Sequence, residues 1–314
     1  MDDNSVINLF PLHLRTRFEI CSKQVEKLQE IRIRAGQPVI LIISGSEYFL
    51  KEDGSVGKDV ANSYRISSHQ VAEILNHTCN YSIYAFEDEI KQGFITVTGG
   101  HRIGVAGQAV LESDGKVRNL KHINYLNIRV AHQILGVSDM VLPYLYDNGK
   151  FSNTLIISPP GCGKTTMLRD LVRRISDGNE WGNGRSVSVI DERSEIAGSF
   201  QGVPQNDVGM RTDVLDMCPK LLGMMMAIRS MSPKVLAIDE LGDKQEMHML
   251  EVAGASGCKI LATIHAEGIE DLFSKEYMNI MIKSKFFKRY VLMGKVNGVP
   301  GVVGVYGERM NQIC

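Results

Sequence analysis

A glycine-rich loop joins an apolar segment to an amphipathic one near the middle of the 314-residue chain. The apolar segment TLIIS (154–158) is typical of a buried strand, and TTMLRDLVRRIS (165–176) has apolar residues at helical spacing. Between them, Gly161 and Gly163 permit a tight turn that directs backbone N–H groups to one place, where the following helix presents its amino terminus. This arrangement predicts a phosphate-binding loop.

We interpret SPPGCGKTT as a motif of the form G-x-x-x-x-G-K-[ST], with Ser158 at the first glycine position. Lys164, which we expect to be exposed and to pack against no other group, would reach the phosphates of ATP. The Thr165 hydroxyl would be a ligand of Mg²⁺, and Cys162 is a small residue tolerated between the glycines. The predicted nucleotide-binding residues are Ser158, Pro159, Pro160, Gly161, Cys162, Gly163, Lys164, Thr165 and Thr166.

The segment VLAIDELGD (235–243) has four apolar strand residues followed by two carboxylates. In phosphate-loop folds a carboxylate at this position lies beside Mg²⁺, and the next acid is directed at the attacking water. We therefore expect Asp239 to hold the metal and Glu240 to polarise the water. Solvated acids at the end of a strand are the alternative interpretation of this motif alone.

Two further strand ends carry polar residues. VSVIDERSE (187–195) supplies Asp191, Glu192 and Glu195, and LATIHAEG (261–268) supplies Thr263 and His265. Because ligands of open α/β sheets bind at the carboxyl ends of the strands, Glu192 and His265 become catalytic candidates. Solvated turn acids and a loop histidine with ordinary partners stay as the alternative.

Periodicity changes near residue 150, which predicts an α/β protein of two domains. The first domain, 1–135, is predicted to be α+β with an antiparallel sheet. Its predicted elements are a helix around 22–30, strands at 30–34 and 38–43, a helix from Ser67-Ser68 to about Leu75, and strands flanking Gly99-Gly100. The second domain, 136–314, alternates strands with helices, which indicates a mostly parallel sheet covered on both faces, with a terminal hairpin at 290–306.

Composition excludes several classes of protein. With 35 basic and 36 acidic residues the net charge is -1, so no global field favours nucleic acid or an anionic membrane. No apolar run approaches the roughly 20 residues of a bilayer span, and the acidic start does not resemble a signal peptide. We therefore expect a cytoplasmic protein. Six scattered cysteines without a CxxC pair predict reduced thiols.

The order of these motifs resembles that of the secretion and pilus motor ATPases of type II and type IV systems. Several other segments resemble more closely the stage III sporulation protein AA family of endospore-forming bacteria. These segments are EIRIRAGQPV (30–39), YSIYAFEDEIKQGFITVTGGHRIGVAGQAV (81–110), NIRVAHQILGVSD (127–139), DERSEIAG (191–198) and the stretch from QNDVGMRTDVLDMCPK to MMMAIRSMSP (205–233). The Asp-Glu pair at 239–240 departs from the Gly-Glu that is common in the secretion motors.

The resemblance implies an N-terminal domain followed by a RecA-like P-loop domain. It further implies a Mg²⁺-dependent ATPase, assembled as a hexameric ring on the mother-cell side of a sporulation channel. Its partners would be membrane-embedded stage III proteins, so the chain would be peripheral to the membrane, with no nucleic-acid partner and no span of its own.

In these motifs, Lys164 and Mg²⁺ would lie on one side of the phosphates, and no residue is placed to neutralise the opposite side of the γ-phosphate during transfer. In the related motors such arginines come partly from the N-terminal domain, which makes Arg102 and Arg129 the candidates and leaves Arg211 and Arg229 as alternatives. Two other functions stay open. One is a nucleic-acid-dependent RecA-like ATPase, disfavoured by the near-zero charge and by the lack of a stacking-aromatic stripe. The other is an ATP-gated structural protein with negligible turnover.

Overall fold

A computed structural model describes residues 5–314, which divide into two compact units. The first unit contains the described residues up to His132 together with Gly198–Gln205. The second contains Gln133–Ala197 and Asn206–Cys314. The excursion at 198–205 belongs to the first unit because Phe200 packs against its core, where its ring stacks on Phe86 with the centroids 6.1 Å apart.

Within residues 5–132, an antiparallel sheet of seven strands has the order β4-β3-β2-β1-β7-β6-β5. Its strands are β1 (Leu28–Arg34), β2 (Ile40–Ile43), β3 (Ser46–Leu50), β4 (Val56–Gly57), β5 (Phe94–Thr96), β6 (Arg102–Leu111) and β7 (Val117–Arg129). The helices are α1 (Leu12–Lys23), α2 (Ser68–Thr78) and α3 (Glu87–Lys91), with 3-10 turns at Ile7–Leu9, Ile83–Phe86 and Thr98–Gly100. Alternate residues of the central strands, such as Ile31 and Ile33, are fully buried in one core.

The helix predicted around residues 22–30 is wrong. Helix α1 ends at Lys23, a turn follows, and strand β1 already begins at Leu28. The polar stretch between Ser22 and Glu30 has ordinary helical propensity, but pairing of β1 with both β2 and β7 stabilises the extended conformation instead. The helix after Ser67 is confirmed as α2, and Ser67 and Gln70 form a capping box at its start.

The main sheet of the second unit has the order β14-β13-β15-β16-β10-β17-β18, as far as the chain is described. Neighbouring strands are parallel except for the terminal hairpin of β17 and β18. The strands are β8 (Tyr146–Asp147), β9 (Lys150–Phe151), β10 (Thr154–Ser158), β11 (Gly178–Asn179), β12 (Gly182–Asn183), β13 (Val187–Asp191), β14 (Thr212–Asp216), β15 (Val235–Ile238), β16 (Lys259–His265), β17 (Arg289–Val296) and β18 (Val299–Gly307). The short strands β8 with β9, and β11 with β12, form two separate ribbons.

Helices cover both faces of this sheet. They are α4 (Leu142–Leu145), α5 (Lys164–Asp177), α6 (Lys220–Met226) with a π-helical turn at Ala227–Met231, α7 (Lys244–Ala255), α8 (Ile269–Ser274) and α9 (Glu276–Lys283). Ile156 of β10 faces the core that contains α5, whereas Leu155 and Ile157 face the core that contains α7 and α9. The mostly parallel sheet buried on both faces confirms the α/β fold expected from the apolar strand runs. It also brings the carboxyl ends of β13, β15, β16 and β10 to one edge.

Candidate nucleotide site

The loop between β10 and α5 has the backbone of a phosphate cradle. Gly161 and Gly163 have φ of 73° and 82°, in the left-handed region that glycine adopts without a Cβ clash. Ser158, at the first glycine position of the motif, is the buried last residue of β10 and has no positive φ, so a glycine is not required there. Pro159, Pro160 and the buried Cys162 complete the loop, and Thr165 and Thr166 lie in the first turn of α5.

Lys164 is the first residue of α5, and its placement differs from the expectation of an exposed side chain. Only 6% of it is exposed, and its ammonium lies 3.3 Å from Asp239 Oδ1 and 3.1 Å from Glu240 Oε1. Moving an ammonium out of water costs several kcal/mol of hydration free energy, and the folded protein tolerates this only when opposite charges surround the group. The expectation that Lys164 packs against nothing is therefore wrong, because the two carboxylates that follow β15 hold it.

Asp239, directly after β15, is bonded to helix α5 and to strand β16. Its Oδ2 accepts a hydrogen bond of 2.9 Å from the Thr165 hydroxyl, and its Oδ1 accepts one from the Thr263 hydroxyl of β16. The first turn of α5 and the neighbouring strand thus fix both oxygens of this carboxylate.

Three basic side chains surround the Glu240 carboxylate. His265 Nε2 lies 2.8 Å from its Oε1, beside Lys164, and the Arg193 guanidinium lies 3.1 Å from its Oε2. Burial by itself raises the pKa of Glu240, but the hydrogen bonds from His265 and Lys164 and the charges of Lys164 and Arg193 lower it to about 2. The carboxylate is therefore ionised at any physiological pH.

The acidic residues at the end of β13 and just after it, Asp191 and Glu192, lie in different environments. Asp191 accepts hydrogen bonds from the backbone N–H groups of Glu195, Ile196 and Ala197, so its carboxylate shapes the loop. Burial raises the pKa of Asp191 in spite of these bonds. Glu192 is half-exposed, and its Oε2 lies 3.8 Å from Lys220 Nζ. Glu192 thus lines the same cleft as Glu240 without an ion pair to the Lys164 ammonium.

The arginine candidates are placed in different parts of the molecule. Arg102 and Arg129 lie in the first unit, directly opposite each other across β6 and β7, and the Arg102 guanidinium stacks on the Phe94 ring at 3.7 Å. Arg211 bonds the carbonyl of Ser176 at the end of α5, and Arg229 is exposed on the π-helical turn.

Sequence reasoning missed two basic residues of the second unit, Arg193 and Lys220. Arg193 contacts the Glu240 carboxylate, and Lys220 contacts the Glu240 carbonyl oxygen. Arg193 stands within the quoted segment DERSE and could have been found there. Lys220 is 20 residues from its partner, and no local pattern marks it.

The residues present fit a nucleotide phosphate chain with Mg²⁺. No side chain among residues 5–314 caps the amino terminus of α5, so its first N–H groups stay available to an anion. A Cβ added at Gly161 would have no neighbouring atom within 4 Å, which means the loop is open on that side. The Thr165 hydroxyl and the Asp239 carboxylate are hard oxygen donors of the kind Mg²⁺ takes, and the described residues contain no cluster of three or more His, Cys, Asp or Glu that could hold a metal. This donor set suits an ion that shares its coordination with phosphate and water.

The overall fold is that of secretion and pilus ATPases. The ATPase DotB of Legionella pneumophila superposes with a TM-score of 0.58 at 14% identity, covering 95% of this chain and 81% of that chain. The pilus retraction motor PilT with bound ADP gives 0.59 at 16% identity, covering 92% and 81%. At such identities the likeness concerns the fold, and it confirms a RecA-like P-loop architecture.

The chain belongs to the family described as Sporulation stage III, protein AA, which matches residues 2–313. The Stage III sporulation protein AA of Bacillus subtilis (strain 168) is 39% identical over 309 residues, which cover 98% of this chain and 96% of that protein. Both findings confirm the resemblance drawn from the motifs. Among the described residues, no helix is long and apolar enough to cross a membrane.

Proposed function

We propose that this chain is a Mg²⁺-dependent ATPase that serves as a motor or assembly ATPase on the mother-cell side of a sporulation channel complex. One observation carries the proposal. The Lys164 ammonium lies within 3.3 Å of both Asp239 and Glu240, while Thr165 donates to Asp239. A cation, a hydroxyl and two carboxylates at the amino terminus of one helix are the groups that phosphoryl transfer from ATP requires.

The loop residues would bind the phosphates. Backbone N–H groups of residues 158–166 would surround the anion, and Lys164 would exchange contacts with Glu240 for contacts with the terminal phosphates. Thr165 and Asp239 would hold Mg²⁺, which supplies charge neutralisation of the phosphate oxygens.

Glu240 would orient and polarise the attacking water. Its low pKa keeps it ionised, so it accepts a hydrogen bond from water at neutral pH. His265 Nε2, when it carries the proton, donates to Glu240 Oε1 and fixes the direction of the carboxylate. Glu192 lines the same cleft as Glu240, where it would help to order the water that fills it.

The similarity to the relatives supports a proposal for assembly and partners. A homologue of stage III sporulation protein AA with the fold of PilT and DotB is expected to form a homo-oligomeric ring, which we propose to be hexameric. Its partners would be membrane-embedded stage III channel proteins, which would place the chain at the membrane surface on the mother-cell side.

The test is ATP turnover by the purified full-length chain with and without Mg²⁺. Glu240→Gln should keep ATP affinity and slow hydrolysis by roughly 10²- to 10⁴-fold, which is the usual rate enhancement from a positioned general base. Asp239→Asn should instead weaken Mg²⁺-dependent binding. Glu251→Gln, an exposed glutamate of α7, is the matched control and should behave as wild type.

Three outcomes would contradict the proposal. Identical behaviour of the Glu240 and Asp239 variants would refute their separate roles. Tight ATP binding without phosphate release would indicate an ATP-gated structural protein. Stimulation by DNA or RNA would indicate a nucleic-acid-dependent ATPase.

A further inference from the structure

Glu240 has an unusual backbone conformation. Its φ is 57°, in the left-handed region, which costs a residue with a side chain about 1 kcal/mol or more. Such a conformation persists only where the surrounding groups hold it. The direction of the Glu240 carboxylate therefore depends on whatever fixes its main chain.

Four hydrogen bonds hold this short segment. Two involve Thr263, which accepts from Glu240 N through its hydroxyl at 2.9 Å and from Leu241 N through its carbonyl at 2.8 Å. A third runs from Gly242 N to Glu246 Oε2 at 2.7 Å. The fourth runs from Lys220 Nζ to the Glu240 carbonyl oxygen at 2.5 Å. Of the four, only the Lys220 bond is made by a side-chain ammonium.

Lys220 is itself fixed. It is the first residue of α6, its side chain is only 15% exposed, and its ammonium lies 3.3 Å from Glu246 Oε1 and 3.8 Å from Glu192 Oε2. Glu246 is buried and also bonds Gly242, so Lys220 and Glu246 hold the carbonyl of Glu240 and the N–H of Gly242 as one unit. A charge-assisted bond in such a site is stronger than a neutral one.

We propose that Lys220 is a positioning residue for Glu240, an inference that rests on the ATPase function proposed above. Its ammonium bonds the main chain of Glu240, whereas Lys164 and His265 bond the carboxylate. Lys220 therefore acts through the orientation of Glu240 and leaves the phosphate loop untouched. Loss of Lys220 lowers kcat and leaves nucleotide affinity in place.

The experiment compares steady-state ATPase and nucleotide binding of full-length Lys220→Met with wild type. A misplaced carboxylate predicts a fall in kcat of roughly 10- to 100-fold, with KM and the nucleotide Kd nearly unchanged. Lys220→Arg, which keeps a cationic donor, should recover most of the rate. Lys244→Met is the matched control, because Lys244 is also the first residue of a helix, α7, but is 64% exposed and pairs with Glu276.

A double variant separates positioning from a merely structural role. In a Glu240→Gln background, Lys220→Met should change the residual rate by less than about twofold, because the group it orients has lost its function. A full loss in both backgrounds, or an unchanged kcat in Lys220→Met, would overturn the inference. If wild type hydrolyses ATP and Glu240→Gln hydrolyses it roughly 10²- to 10⁴-fold more slowly, as proposed, either result refutes the role of Lys220 and leaves the ATPase function standing. If wild type shows no turnover, the proposed function fails and this inference fails with it.

Discussion

Lys164 is a buried cation that two carboxylates neutralise. Each member of this cluster is stable only because of the others, since an isolated buried charge loses its hydration without compensation. The Thr263 hydroxyl adds a neutral donor to Asp239, and Arg193 adds a second cation at Glu240. A substitution that tests the function of this site therefore also changes the stability of the second unit.

Replacement of Lys164 by alanine should abolish ATP binding and also destabilise the fold. We expect a loss of about 1 to 2 kcal/mol, below the roughly 3 to 5 kcal/mol of a fully buried pair, because Glu240 is 28% exposed. Urea unfolding and ATP titration measure the two effects. Lys164→Ala combined with Glu240→Gln should regain part of the stability without regaining binding. Unchanged ATP affinity in Lys164→Ala would refute the site.

His101 of the first unit gives that unit a predictable sensitivity to acid. The ring is fully buried, accepts from Ala131 N at 3.0 Å through Nδ1, and lies 3.0 Å from Ser5 Oγ through Nε2, which fixes the neutral form. Burial, with a smaller contribution from His132, lowers the pKa of His101 to about 4 from an ordinary 6.5.

The unfolded chain therefore binds a proton at His101 before the folded chain does. The contribution of neutral His101 to the free energy of unfolding is fully present above about pH 6.5. It decreases as the pH falls from there to about 4, by roughly 3 kcal/mol at most. Unfolding free energies measured from pH 7 to 4.5 should show this decline. A His101→Gln variant should be less stable at pH 7 and should lack that part of the pH dependence. An equal slope in the variant would contradict the assignment.

The β6–β7 hairpin is the longest element of the first unit, and it contains an irregularity between Ala106 and Gln108. Gly107 lies there because the partner strand comes unusually close. A Cβ on Gly107 would lie 2.6 Å from the carbonyl oxygen of Lys121 and 2.8 Å from that of His122, both main-chain atoms that cannot rotate away. Glycine at this bulge is thus a requirement of backbone packing.

Gly107→Ala should destabilise the first unit by about 2 to 3 kcal/mol, the usual cost of a forced backbone shift. Gly104→Ala in the same strand is the matched control, because its Cβ would find no atom closer than 3.8 Å. Thermal unfolding of the two variants should therefore differ clearly. Equal melting temperatures would show that the hairpin adjusts at little cost.

At the scale of the whole molecule, the arginines of the two units are the candidates to neutralise the phosphate during transfer. Arg102 and Arg129 lie directly opposite each other across β6 and β7. Arg193, in the second unit, already contacts Glu240 and is 66% exposed. The N-terminal pair stays our prediction for an arginine supplied by another domain or subunit.

If a ring is the active form, specific ATPase activity should rise with protein concentration. Arg102→Ala or Arg129→Ala should lose turnover and keep ATP binding. Mixing either variant with Lys164→Ala should restore some activity, because each subunit supplies the group that its neighbour lacks. Activity independent of concentration, with no rescue on mixing, would mean that the monomer is active, and Arg193 would then be the arginine to replace.

The sequence by itself determined the features that depend on short stretches of chain. Local periodicity and turn residues predict the strand, loop and helix around Lys164. They also predict the apolar strands before Asp191, Asp239 and His265, and the antiparallel sheet of the first unit in contrast to the mostly parallel sheet of the second. Parallel strands align their carboxyl ends, so the proximity of these residues could be inferred without coordinates.

Only the tertiary structure decided what depends on contacts between distant residues. Residues 28–30, at the end of the predicted helix, became strand because β2 and β7 pair with β1 there. Lys164 became buried because Asp239 and Glu240, 75 and 76 positions along the chain, neutralise it. Lys220 and Arg193 reach Glu240 from 20 and 47 residues away. Propensity and motif spacing describe neighbours along the chain, whereas burial and charge pairing are set by neighbours in space.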